Sequence, residues 1–332
     1  MNKRKNAFRR AGLYTCAALF FGAVLCAQAW AASEGSFHRI ISVTGAANVD
    51  VATGSGNVNV RTGSGNQVEI TGHIRAGSWL GDDAGADEKV RKLEANPPIQ
   101  QSGNDIRIGH IDDPELRHNV SISYDIVVPE NTQLHSHTGS GDQQVEGLHG
   151  TVEVGSGSGR LSVSDIGDAV RAEAGSGDME IHDVKGNLHA KTGSGTIRAT
   201  QIAGGFEGET GSGNITLEQT SAGSVRAHTG SGDLELHLQR GSLDAQTGSG
   251  TINVDGDPTG AWTLHTGSGD VHLKLTAAAS FDLDARTSSG ELSVDQPITV
   301  QGTIGKKEIR GKVRGGGVPV NVETGSGDIR VQ

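Results

Sequence analysis

The chain has 332 residues, of which 51 are glycine, with 3% aromatic residues, two cysteines and a formal net charge of −11. Glycine does not recur every third residue, which excludes a collagen-like triple helix. The shortage of large side chains argues against an ordinary close-packed enzyme core, and the acidic balance against nucleic acid as a partner.

The chain opens with Lys3, Arg4, Lys5, Arg9 and Arg10, then an apolar run from Leu13 to Ala27, then small residues around Ala29 and Ala31. A basic start, a short apolar stretch and an A-x-A site predict a secretory signal peptide over 1–31. The run is about 15 residues, short of the roughly 20 that a membrane-spanning helix needs. Cleavage would remove both cysteines, Cys16 and Cys26, so the mature chain would carry neither disulfide nor thiolate site. It would also remove five of the 28 basic residues, leaving 23 against 39 acidic, a net charge of −16. No later stretch is apolar enough to cross a membrane. The expected location is therefore periplasmic, cell-surface or extracellular.

Residues 32–332 are expected to form one domain. Residues 34–74 read as strands. The rhythm breaks over 77–98, where Gly81-Asp82-Asp83 precedes a helix candidate, Ala86 to Glu94, with Val90 and Leu93 on one side and a stop before Pro97-Pro98. Strands resume at Ile106–Ile108 and Val120–Val128. The whole of 34–130 is read as the first coils, with an excursion that caps one end.

From there the tripeptide Gly-Ser-Gly recurs, beginning at residues 139, 155, 175, 193, 211, 230, 248, 267 and 325, after earlier copies at 54 and 63. Ser288-Ser289-Gly290 fills a further slot, and the steps from 139 to 288 run 16, 20, 18, 18, 19, 18, 19 and 21. The final step of 37 reads as two units with one anchor lost. Within a unit, apolar or small residues alternate with His, Lys, Arg, Glu, Asp and Thr, as in Leu188-His189-Ala190-Lys191-Thr192. This is the pattern of a strand with one buried face. Each unit holds two short strands, and a second corner falls near Gly186, Gly205, Gly223, Gly241 and Gly260. A single flat sheet would leave its apolar face wet. A coil whose two strands face each other buries every alternate residue. The predicted fold is all-β: a single-stranded, parallel β-helix-like solenoid with about 18–19 residues per coil, plus a short helical excursion near the N-terminus. About a dozen coils stacked at about 4.8 Å give a rod of about 50–60 Å.

The repeated T-G-S-G-[DN]-[IVL]-x-[VL] unit, and the C-terminal run from Gly315-Gly316-Gly317 to Ile329-Arg330-Val331, resemble the bacterial exported β-strand-repeat proteins of the "putative adhesin" family. That family is a domain of unknown function, and the resemblance covers about 36–332. It implies a non-enzymatic structural or binding module at the cell envelope or surface, with an unidentified ligand, and carries over no catalytic residues.

Two metal arrangements follow from the residues. Asp or Asn after Gly-Ser-Gly, as at Asp142, Asp178, Asp233 and Asp270, is reminiscent of calcium-binding β-rolls. Thr196 and Thr251 interrupt that column, and such residues also bond turn backbone. His135 and His137 share a strand face, and the 16-residue step places Glu153 one coil on, beside His137; two imidazoles and a carboxylate suit Zn²⁺. Most other histidines sit in outward columns of mixed charge, so no cofactor is expected. The rival reading is a carbohydrate-active β-helix enzyme, a lyase or hydrolase. Phe206, Trp262 and Phe281 fall in the inward phase, which leaves Trp79, beside Asp82 and Asp83, as the aromatic anchor for a ligand.

Overall fold

The computed structural model describes residues 33–77, 85–300 and 305–332. The signal peptide expected over 1–31, and Trp79, Asp82 and Asp83, lie outside the described residues.

The repeats form a β-solenoid. Each coil contributes one strand to each of two parallel ladders. In the first ladder Gln133–Thr138, Val152–Ser156, Val170–Ala174, Leu188–Thr192 and Phe206–Thr210 pair in sequence order. In the second, Gln143–Glu146, Leu161–Ile166, Met179–Val184 and Ile197–Ile202 do the same. Alternation decides which side chains face inward. Leu134, Val152, Val170, Leu188, Phe206, Val225, Leu243 and Trp262 stack as one buried column.

Glycines make room for some of the rings in this thin core. A methyl group built on Gly208 would lie 2.5 Å from the Phe206 ring, and one on Gly72 would lie 2.2 Å from the Phe37 ring. Trp262, fully buried, donates its indole N–H to the Gly241 carbonyl at 2.9 Å. Phe206, Trp262 and Phe281 are therefore core residues, as their phase predicts.

The Gly-Ser-Gly corner stacks on itself, and here the structure corrects the register. Two such tripeptides overlap at 155–159, and the one in the corner column is Gly157-Ser158-Gly159. Gly155 pairs with His137 inside the strand, and Ser156 pairs with Thr138. The irregular steps of 16 and 20 become two steps of 18. The residue before most corners is a buried Thr or Ser whose hydroxyl donates to the carbonyl of the tripeptide's second glycine on the adjacent coil. Examples are Thr138 to Gly56, Ser156 to Gly141, Thr192 to Gly177 and Thr210 to Gly195, at 3.0–3.2 Å. The same Thr192 hydroxyl accepts from the Gly195 amide at 3.2 Å. Ala174 occupies this column without a hydroxyl. Thr192→Val keeps the shape and strands both partners, so it should cost about 1–3 kcal/mol. Ala174→Thr should add about 1 kcal/mol. Chemical denaturation of both variants checks the pair.

The second corner is turned differently from expectation. Asp165, Asp183 and Gln201, spaced one coil apart, adopt φ of 55°, 53° and 57°. They interrupt the alternation, so that Ile166, Val184 and Ile202 also point inward. Short polar side chains tolerate this left-handed conformation better than branched ones.

Both ends depart from sequence order. At the N-terminal end, Asn48–Thr53 and Val58–Thr62 lie between the coil of Gln133–Thr138 and an outer coil made by Asp105–Ile108 and Val120–Val128. At the other end, Val318–Ser326 and Ile329–Val331 slot between the coil of 262–275 and that of Phe281–Ser289 with Leu292–Val294. The described residues thus make twelve coils, and the first and last of them in sequence are each one place in from an end.

Antiparallel strands cover both ladders at the N-terminal end and the first ladder at the other, while Leu292–Val294, at the end of the second ladder, pairs among the described residues with Ile329–Val331 alone. Gln67–Ala76 pairs with Val120–Val128 and with Ser33–Ser42, while Ile99–Ser102 pairs with Asp105–Ile108. Glu308–Val313 pairs with Phe281–Ser289 and Ile298–Val300. The 37-residue step is thus one coil plus a capping hairpin, not two coils. Likewise 33–42 and 67–76 are cap strands rather than first coils. The expected helix is present as Ala86–Ala95, burying Val90 and Leu93 against the cap strands, and it ends at Asn96 before the two prolines. A second, single-turn helix, Pro114–Arg117, went unforeseen; Asp113 caps it by accepting from the Glu115 amide.

Candidate functional site

The corner column of Asp and Asn is engaged with backbone. Each side-chain oxygen accepts from the amide of the matching residue on the next coil. Asp142 takes the Arg160 amide, Asp178 that of Thr196, Asn214 that of Asp233 and Asp233 that of Thr251, at 2.8–2.9 Å. These residues extend the hydrogen-bonded stack around the corner, with a Thr or Arg able to end a column locally.

The corrected register also separates the zinc set. His135 and His137 do share an exposed strand face, but Glu153 pairs with His135, with Nδ1 to Oε2 at 3.5 Å. Gly155 stands beside His137. The 16-residue step had counted from the wrong tripeptide. Among the described residues no three His, Cys, Asp or Glu side chains are grouped closely enough to hold a metal ion.

A long groove of about 920 Å³ lies on the outer side of the first ladder, running from Gln133 to Thr263. Its floor lies where each coil leaves the second corner, at Thr151, Ala169, Asn187, Gly205, Ser224 and Ser242. Small side chains there leave the depression. Its bank is the next outward column, His135, Glu153, Arg171, His189, Glu207, Arg226 and Asp244. Arg171, His189, Glu207, Arg226 and Asp244 were legible as one outward column, whereas Glu153 was expected beside His137 and not in this bank. The floor was not singled out, although a small or polar residue just before the first apolar position of each coil was its signal.

Charge along the bank is neutralised from coil to coil. Glu207 meets His189 at 3.2 Å and Arg226 at 3.3 Å, and Arg226 also reaches Asp244 at 3.7 Å. The hydrogen bond from His189, with Arg226 beside it, holds the Glu207 carboxyl below the usual carboxylate range. In the neighbouring column Lys191 meets Glu209 at 2.7 Å and lowers its pKa in the same way. Both carboxylates stay ionised, whereas a glycosidase acid needs the opposite shift.

Among the described residues no helix is long and apolar enough to cross a membrane, and the one large apolar side chain that is strongly exposed is Ile40. No curated protein matches the chain. Among solved structures it is similar to a "putative cell adhesion protein" from Clostridium sporogenes ATCC 15579. That likeness is 12% identical over 90% of this chain and 99% of the other, with a TM-score of 0.20. It is also similar to a "putative adhesin" from Bacteroides fragilis NCTC 9343, 11% identical over 91% and 99%, with a TM-score of 0.31. The coils from Ile126 onward, including the inserted last coil and the C-terminal cap, match the model of Toastrack DUF4097 over residues 126–332, and the chain belongs to that family.

Proposed function

We propose that the protein is an exported, non-enzymatic, adhesin-like binding module of the bacterial cell envelope or surface, and that its groove holds an extended, net-uncharged glycan. The observation that carries this reading is the groove itself: a depression many coils long whose charges are balanced and whose floor offers hydroxyl and amide groups. Other linear partners fit less well. The coils that form the groove are paired with neighbours on both sides, so the groove offers no strand edge to an added peptide. The negative net charge repels nucleic acid. Among the described residues Ile40 is the one large apolar side chain strongly exposed, which is little surface for a membrane. Ionised, paired carboxylates on the bank support binding over hydrolysis.

A glycan array probed with the exported form should show capture of neutral linear polysaccharides without release of oligosaccharides. Ser224→Trp, on the exposed floor, should abolish capture. Glu235→Trp, exposed on the other ladder, should leave it intact. Oligosaccharide release would replace this reading with the enzyme one, and capture unaffected by Ser224→Trp would move the site elsewhere.

A further inference from the structure

A separate pocket lies at the N-terminal end, where the coil pattern is interrupted. After Asp105–Ile108 the chain leaves the stack over 109–119 and re-enters it at Val120–Val128. This detour encloses a pocket of about 420 Å³ against Ala52 and Thr53. Its apolar wall is Ile111, Val120, Ile122 and the Tyr124 ring.

Four polar side chains, Tyr124, Arg117, His110 and Asp112, meet that wall. Tyr124 is 1% exposed, and its hydroxyl has no hydrogen-bond partner among the described residues. A methyl group built on Gly109 would lie 3.1 Å from that hydroxyl and 1.9 Å from the Ala52 carbonyl, so glycine at φ 84° keeps this part of the pocket open. Arg117, on the single-turn helix, lines the pocket and makes no ion pair among the described residues. His110 lines the pocket too; its Nε2 lies 3.3 Å from Asp50 but makes no hydrogen bond among the described residues. Asp112 lies on the lining as well and disfavours a second negative charge. A buried donor without an acceptor is costly and is normally satisfied by a bound group. The pocket volume is in the range of small-molecule sites, with an apolar wall and few polar groups.

We propose that this pocket binds a small amphiphilic monocarboxylate. Its carboxylate accepts from the Tyr124 hydroxyl and pairs with Arg117, and its apolar body lies on Ile111, Val120 and Ile122. Burial pushes the Tyr124 pKa up, so the phenol remains a neutral donor throughout the physiological range. This site is independent of the groove and lies before the residues that match the family.

The test is a methyl-detected NMR titration of the exported protein with hexanoate, with hexanamide as the uncharged control. Hexanoate should shift the Ile111, Val120 and Ile122 methyl signals saturably, and hexanamide should not. Tyr124→Phe and Arg117→Gln should each weaken binding about tenfold, the effect of one charge-assisted hydrogen bond. Tyr124→Phe should melt no lower than the parent, because it removes a hydroxyl without a partner. Arg160→Gln, on a distant coil, should bind normally. Absence of saturable shifts would mean that the pocket holds only water and would overturn the proposal. Equal response to hexanamide, or unchanged binding in Tyr124→Phe, would overturn it too.

Discussion

Truncation after residue 317 should collapse the C-terminal end of the solenoid, although it removes only the last 15 residues. Those residues are an internal coil. Val320, Val322, Ile329 and Val331 are all buried, and the coil separates Trp262 and Leu264 from Leu283 and Ala285. Burial of four such side chains is worth roughly 6–12 kcal/mol, before the paired backbone on both sides is counted. Deletion of residues 170–187, a full coil from the middle, should be far milder. It joins Ala169 to Leu188 and places Leu188 on Val152, apolar on apolar, with His189 on Glu153. A solenoid tolerates such a loss because each coil contacts only its neighbours. Thermal melting with limited proteolysis separates the two. Parent-like behaviour of the truncated chain, or aggregation of the shortened one, would refute the coil order described above.

Gly195→Ala and Gly54→Ala should differ sharply although both alter a Gly-Ser-Gly corner. A methyl group on Gly195 would sit 2.0 Å from the carbonyl oxygen of Gly177 and 2.6 Å from its carbon. Both are backbone atoms locked in the stack, so relief requires the coils to separate. The cost should exceed the usual 1–3 kcal/mol of overpacking. A methyl group on Gly54 meets nothing within 4 Å, and that variant should stay within about 0.5 kcal/mol of the parent. Neither residue has a positive φ. Urea unfolding therefore distinguishes coil-to-coil contact from backbone freedom as the reason for the motif. Equal losses at both positions would favour the latter.

Much of this fold can be read from the residues. Period-two alternation around each corner identifies Leu188, Ala190, Ile197 and Ala199 as inward, and the helix of Ala86–Ala95 follows from Val90, Leu93 and the prolines after it. The groove was harder to see. Its bank is a column of charges, but a depression is defined by what is missing beside it, and Ala169 or Ser224 looks unremarkable alone. The pocket at Tyr124 was illegible, because it depends on Gly109 and Arg117 meeting Ala52 and Thr53 from another coil.

Coil length and the identity of the inward columns are local properties, since the alternation and the corner residues that set them lie within one unit. Register and coil order are not local. Where two Gly-Ser-Gly tripeptides overlap at 155–159, either could turn the corner, and stacking of Gly157 and Gly159 on Gly139 and Gly141 selects one. Every coil also presents nearly the same edge of amides, carbonyls, threonine and glycine, so 318–331 could pair with many neighbours. Its place beneath Phe281–Ser289 follows from the hairpin that caps that strand and returns the chain inward. Repetition makes a single coil predictable, and for the same reason only contacts with the caps distinguish one coil's place from another's.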